Sequence, residues 1–92
     1  MPATESAKKR QRQGEKRKLR NRVYRSRART HIKQAANLMD QGKLEEAAQT
    51  AQLAVSALDR AAQKGVLHRH NAARRKSRLM QRLREAQEEP AQ

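Results

Sequence analysis

A stripe of small apolar residues runs through the middle third of this chain and leaves it few ways to fold. Leu44, Ala47, Ala48, Ala51, Ala54, Val55, Leu58, Ala61 and Ala62 recur at three- and four-residue steps. That is the period at which side chains share one face of an α-helix. Most of these residues are alanines, so a helix carrying them admits its neighbours at close range. Little else in the sequence can build a core. There is no Phe and no Trp, and Tyr24 is the one aromatic residue. Any core must come from Ala, Leu, Val, Ile and Met carried on helices. β-Branched residues are few and scattered, which argues against strands. Glu45 and Glu46 fall in the first turn of this helix, where the helix dipole favours negative charge. Leu53 falls off the stripe and is predicted to be exposed.

Glycines divide the remainder. Gly42 and Gly65 stand where helices would end in left-handed caps, and both prolines lie near the chain ends, at Pro2 and Pro90. The pattern predicts an all-α fold: a three-helix bundle with helices over roughly 6–41, 43–64 and 70–87. In the first helix, Tyr24, Ala28, His31, Ile32, Ala35, Leu38 and Met39 form the core face. Within that helix, nothing apolar is available before Leu19 except Ala7. A first helix of this length spans about 54 Å, against about 33 Å for the second, at roughly 1.5 Å per residue. It must therefore overhang its partners. Alone, such an overhang frays, because like charges sit at neighbouring positions and Gly14 lowers helicity. The third helix offers Ala72, Ala73, Leu79, Met80 and Leu83 to the core. The expected division is a basic N-terminal arm over 1–14, ordered mainly on its binding partner, a bundle over 15–87 and a disordered tail over 88–92.

Charge sets the class of partner. The 92 residues carry 23 Lys and Arg against 9 Asp and Glu, for a net charge of +14. Residues 1–34 hold 13 basic and 2 acidic side chains, residues 35–63 hold 2 and 4, and residues 64–92 hold 8 and 3. A nearly neutral packing helix is thus flanked by two basic ones. Nucleic acid, an anionic membrane surface or an acidic protein would each neutralise the excess and stabilise the fold. No apolar run approaches the ~18–20 residues that cross a bilayer. A basic membrane-surface helix also brings large apolar side chains that the arm lacks. Cysteine is absent, which removes disulfides and thiolate metal ligands and fits a reducing compartment. Residues 1–6 carry no apolar segment of the secretory type. The expectation is a cytoplasmic protein.

Two constellations carry the chemistry. In the first, Lys8, Lys9, Arg10, Arg12, Lys16, Arg17, Lys18, Arg20, Arg22, Arg25, Arg27 and Arg29 surround the first helix on nearly all sides. A solvated face would need charge on one side only. Charge all round, with few acids to pair, suits a helix lying between phosphates, where the arginine fork grips two oxygens at once. The competing reading is a disordered basic tail that binds any polyanion. In the second constellation, the turn 64–71 leads into a helix carrying Arg74, Arg75 and Arg78 on one side. Free N–H groups at its start suit a phosphate, with His68 and Asn71 as donors or caps. A capped turn with a solvated basic face fits equally well. His31, His68 and His70 lack metal-ligand spacing, and His31 belongs to the core face. No nucleophile–base pair, paired carboxylates or glycine-rich phosphate loop is present, so no enzyme, metal, cofactor or small-molecule substrate is expected.

Particular residues then carry a resemblance. Ser6-Ala7-Lys8-Lys9-Arg10, Asn21, Ser26, Arg29-Thr30, Ile32-Lys33 and Asp59 are joined by Lys64-Gly65-Val66-Leu67-His68 and by Ala72-Ala73-Arg74-Arg75-Lys76-Ser77-Arg78-Leu79. Over roughly residues 5–83 the chain resembles the bacterial small-subunit ribosomal protein S20 family. The resemblance implies a three-helix bundle and direct binding to 16S ribosomal RNA in the lower body of the 30S subunit. It also implies a structural role in assembly without catalysis. The location it implies is a bacterial ribosome, or a plastid one if plastid-encoded, with other small-subunit proteins touched only peripherally. With the charge pattern, it nominates as RNA-binding Lys8, Lys9, Arg10, Arg12, Lys16, Arg17, Arg20, Asn21, Arg22, Arg25, Ser26, Arg29, Lys33, Lys64, His68, Arg69, Arg74, Arg75, Lys76, Ser77 and Arg78. The alternative is a nucleoid-type DNA-binding protein. That reading wants wedge residues or a groove-reading helix, and neither is evident. With no Phe or Trp, recognition by base stacking along single strands is disfavoured. Three positions depart from the family: Glu5 is usually basic, His70 usually Asn, and His31 more often large and apolar.

Overall fold

The computed structural model describes residues 4–88, which form three helices: α1 Glu5–Asp40, α2 Leu44–Gln63 and α3 Arg69–Glu88. The expected boundaries move by one residue at each end, and local chemistry explains several of the shifts. The Thr4 hydroxyl accepts the Ala7 amide at 3.2 Å, which starts α1 at Glu5. At the other end Gly42 takes a φ of +76°. There the Gly42 amide donates to the Met39 carbonyl and the Lys43 amide to the Leu38 carbonyl, a Schellman closure. Gly65, at φ +73°, repeats this geometry: its amide reaches Ala62 and that of Val66 reaches Ala61. A Cβ at either glycine would meet open space. The left-handed backbone, and not crowding, is what favours glycine there. Val66 is buried beside the second cap and supplies the apolar contact that accompanies this motif. The tail expected over 88–92 lies outside the described residues from position 89 onward, while Glu88 itself is the last residue of α3.

The alanine stripe does what its period implies. Ala47, Ala51, Ala54, Leu58 and Ala61 are all fully buried on α2. Both α1 and α3 pack on this central helix, while α1 and α3 barely meet each other. One apolar cluster joins Ala35 and Met39 of α1 to Ala47, Ala51 and Ala54 of α2 and to Leu79 and Leu83 of α3. A second joins Ala28, Leu58 and Ala72 beside the Gly65 turn. Ile32 packs against both and makes them continuous. Leu53 is 55% exposed, as its position off the stripe predicts.

Two of the residues expected in the core of α3 lie outside it: Ala73 is exposed and Met80 is 40% exposed. Burial instead follows Ala72, Leu79, Leu83 and Ala86 at helical steps. Residues one position further along are rotated by about 100° and face solvent. Between Ala72 and Leu79, Lys76 lies half-buried and pairs with Asp59 of α2 at 2.7 Å. Arg82 approaches Asp40 at the end of α1 at 3.6 Å. Exposed pairs of this kind contribute roughly 0–1 kcal/mol each, so they tune the seating of α3 more than they hold it. His31 and Tyr24 are half-buried at the edge of the α1–α2 contact, not at its centre.

The molecule is long and thin, with extents of 71 × 22 × 17 Å. The 36 residues of α1 run far past the 20 of α2. From Glu5 to Arg20 every side chain is exposed, and Ala28 is the first buried residue of the helix.

Candidate nucleic-acid interface

The overhang of α1 carries Lys8, Lys9, Arg10, Arg12, Lys16, Arg17 and Arg20, all exposed and none in an ion pair among the described residues. They touch no other element, so their spacing is set only by the helix that carries them. A helix with cations on every side presents positive potential in all directions around its axis.

Where α1 reaches the bundle, its charges become organised. Lys18, Asn21, Arg22, Arg25, Ser26 and Arg29 line a shallow groove of about 330 Å³ along one flank of the helix. Five of these six residues are among those nominated from sequence as RNA-binding, and the sixth, Lys18, belongs to the cationic constellation of the first helix. The Asn21 Oδ1 is buried in this stretch without a hydrogen-bond partner. Arg25 also has an internal task. Its Nη2 donates to the Val66 carbonyl at 3.3 Å and ties the Gly65 turn to α1.

The third helix adds a second groove, of about 440 Å³, lined by Arg74, Arg75, Arg78 and Arg82, with Ile32 and Leu79 at its apolar side. Arg75 is held in place by its Nε, which donates to the Asn71 Oδ1 at 2.8 Å. Arg82 was not nominated from sequence, although its spacing signalled it: 74, 78 and 82 repeat at four-residue steps. Lys76 and Ser77 do not line this groove. Lys76 is turned toward Asp59, and Ser77 falls on another side of the helix. Of the arginines here, Arg82 has the one carboxylate partner among the described residues, Asp40.

The turn into α3 resolves the question of its cap. The His68 Nδ1 accepts the His70 amide at 3.2 Å, and the His68 carbonyl accepts the Ala72 amide. His68 is therefore the N-cap, and Asn71 serves Arg75 instead. The His68 and His70 rings meet edge to face at 4.9 Å. Lys33 of α1, and Lys64 and Arg69 at the turn, are exposed. Among the described residues, no three His, Asp or Glu side chains gather as metal ligands, and no helix is long and apolar enough to cross a membrane.

A small all-helical core with a projecting cationic helix and two arginine-lined grooves defines a polyanion-binding helical protein. Comparison with known proteins narrows the class. The family model described as ribosomal protein S20 matches residues 2–84. Small ribosomal subunit protein bS20 of Thermomicrobium roseum is 58% identical over 83 residues, covering 90% of this chain and 84% of the relative. The bS20 protein of a Roseiflexus species is 48% identical over 86 residues, covering 94% and 93%. That of Aquifex aeolicus is 42% identical over 93 residues, covering 100% and 99%. The chain belongs to the ribosomal protein S20 family. It is a structural ribosomal protein and not an enzyme.

Proposed function

We propose that this chain binds 16S ribosomal RNA directly within the small ribosomal subunit, and that it does so as an electrostatic clamp. The observation that carries the reading is a pair of cationic grooves, one on the flank of α1 and one on α3, carried on one helical frame. The α1 overhang with its Arg22–Arg25–Arg29 flank is one surface; the Arg74–Arg75–Arg78–Arg82 groove of α3 is the other. Each takes phosphates from a different RNA segment, and the alanine-packed core fixes the distance between them. RNA duplexes are read mainly through shape and backbone, which suits arginine and lysine without base-edge contacts. The residues that serve this role on α1 are Lys8, Lys9, Arg10, Arg12, Lys16, Arg17, Arg20, Arg22, Arg25 and Arg29. Lys33 extends the surface on α1, and Lys64 and Arg69 extend it around the turn. Lys76 and His68 act first on the protein itself, through the Asp59 ion pair and the α3 cap. Contacts with other small-subunit proteins are peripheral in this scheme.

The arm has no apolar surface with which to fold against its own chain. Its packing partner is RNA, and the helical part of the arm, residues 5–14, takes its stable form on binding, while residues 1–3 lie outside the described residues.

The clamp makes a quantitative prediction. Binding of the purified chain to 16S ribosomal RNA free of other proteins weakens by roughly 0.7–0.9 log units per phosphate contact for each log unit of salt. Six contacts would give a slope of roughly −4 to −5. A filter-binding titration across a salt series measures it, and an affinity indifferent to salt would remove the clamp.

A further inference from the structure

The flank of α1 facing away from α3 carries a site of different character. There, Tyr24, Arg27 and His31 of α1 meet Leu53, Ser56 and Arg60 of α2 around a crevice of about 160 Å³, floored by Ala57. It holds the chain's one tyrosine, half-buried, beside a leucine that is 55% exposed. Neither Arg27 nor Arg60 has a carboxylate partner or a side-chain hydrogen bond among the described residues, and no acidic residue lines the crevice. Among the described residues the Ser56 and Tyr24 hydroxyls are likewise without hydrogen-bond partners. The two grooves described above are walls of arginine that suit continuous backbone. This crevice combines an aromatic wall, an apolar floor, two hydroxyls and only two cations.

That combination matches the chemistry of one nucleotide, not of a duplex. A base has a π-face for the tyrosine ring, an apolar body for Leu53 and Ala57, and polar edges for hydroxyls. Its phosphate suits a pair of guanidinium groups. The volume is well under the roughly 300 Å³ at which pockets for drug-sized ligands begin, which suits a single ring system. We propose that the α1–α2 crevice receives one unpaired nucleotide of RNA, its base against Tyr24 and its phosphate between Arg27 and Arg60. The proposal rests on the RNA-binding reading and goes beyond it, because it gives the protein a contact that distinguishes a bulged or looped RNA from a continuous duplex. A lone phosphate group or a second protein is the other possible occupant, and each would leave the tyrosine ring without a stacked base.

The full-length chain carries its own reporter, since Tyr24 is its one tyrosine and there is no tryptophan. Two probes are compared: a blunt RNA duplex, and the same duplex with one unpaired adenosine. The expected result is that the bulged RNA binds about tenfold more tightly and shifts the ring resonances of isotope-labelled Tyr24 upfield, as a stacked base does. Tyr24→Leu should abolish the preference while leaving duplex binding intact, and Arg60→Gln should reduce it with the ring still reporting. Circular dichroism of both variants checks that the bundle is retained, with Arg60→Gln, at an exposed position, as the variant that keeps its fold. Equal binding of both RNAs by the wild-type chain, with no ring shift, overturns the crevice and leaves the clamp standing. Failure to bind either RNA overturns both.

Discussion

Deleting residues 1–18 leaves a folded three-helix core and lowers affinity for 16S ribosomal RNA by roughly a hundredfold at physiological salt. Structure separates the two effects. Among the described residues, the side chains from Thr4 to Arg20 are exposed, the first buried residue of α1 is Ala28, and no residue of the overhang belongs to either apolar cluster. The deletion removes seven cations and no buried apolar area, so the unfolding midpoint of the free chain barely moves. Self-repulsion falls at the same time, which favours the compact core. Binding loses the contacts made by Lys8 to Lys18, and the salt slope drops by roughly 0.7–0.9 for each one lost. Circular dichroism with thermal melting, beside a binding titration, checks both halves. A core that unfolds together with the arm would contradict the division between them.

The second large effect is on the fold. Leu58→Ala destabilises the free chain by about 3 kcal/mol. Leu58 is the one large side chain that is fully enclosed, and it joins Ala28 of α1 to Ala72 of α3 beside the Gly65 turn. Ala28 and Ala72, the buried residues beside it, are too short to fill the space it leaves. A chain this short buries little surface and has a correspondingly small margin, so a loss of this size is a large fraction of its stability. Saturating RNA restores part of it, since a ligand that binds only the folded state shifts the equilibrium toward it. Leu53→Ala, at an exposed position on the same helix, changes stability by less than about 0.5 kcal/mol. Chemical denaturation of both variants, with and without RNA, makes the comparison. Equal losses at the two positions would mean that the second apolar cluster does not hold the turn.

Much of this architecture was legible in the sequence because its signals are local. The alanine period of α2, the glycines at 42 and 65 and the overhang of α1 each depend on spacing within one segment. α3 was harder to read. Its apolar residues are sparse, so the phase of its buried face was set by contact with α2, and Ala73 and Met80 were misplaced by one position. The arginine groove of α3 was legible in part: Arg74, Arg75 and Arg78 were apparent, but Arg82 lay outside the matching motif. Lys76 shows why charge alone misleads. It reads as one more cation in a basic run, yet its partner, Asp59, is 17 residues away and is found only by folding. The cap of α3 and the Arg25–Val66 link depend in the same way on three-dimensional neighbours. The crevice between α1 and α2 left no signal as a unit, because Tyr24 and Arg60 come from different helices and neither belongs to a motif.

The claim at the centre of this account is that one rigid chain holds two separate RNA segments through two faces. Crosslinking the full-length protein to 16S ribosomal RNA, then identifying the nucleotides attached to peptides of α1 and of α3, tests it directly. The account predicts crosslinks from both helices, with the α1 peptides joined to a different RNA helix from the α3 peptides. Crosslinks confined to one helix, or both helices joined to the same RNA segment, would contradict it.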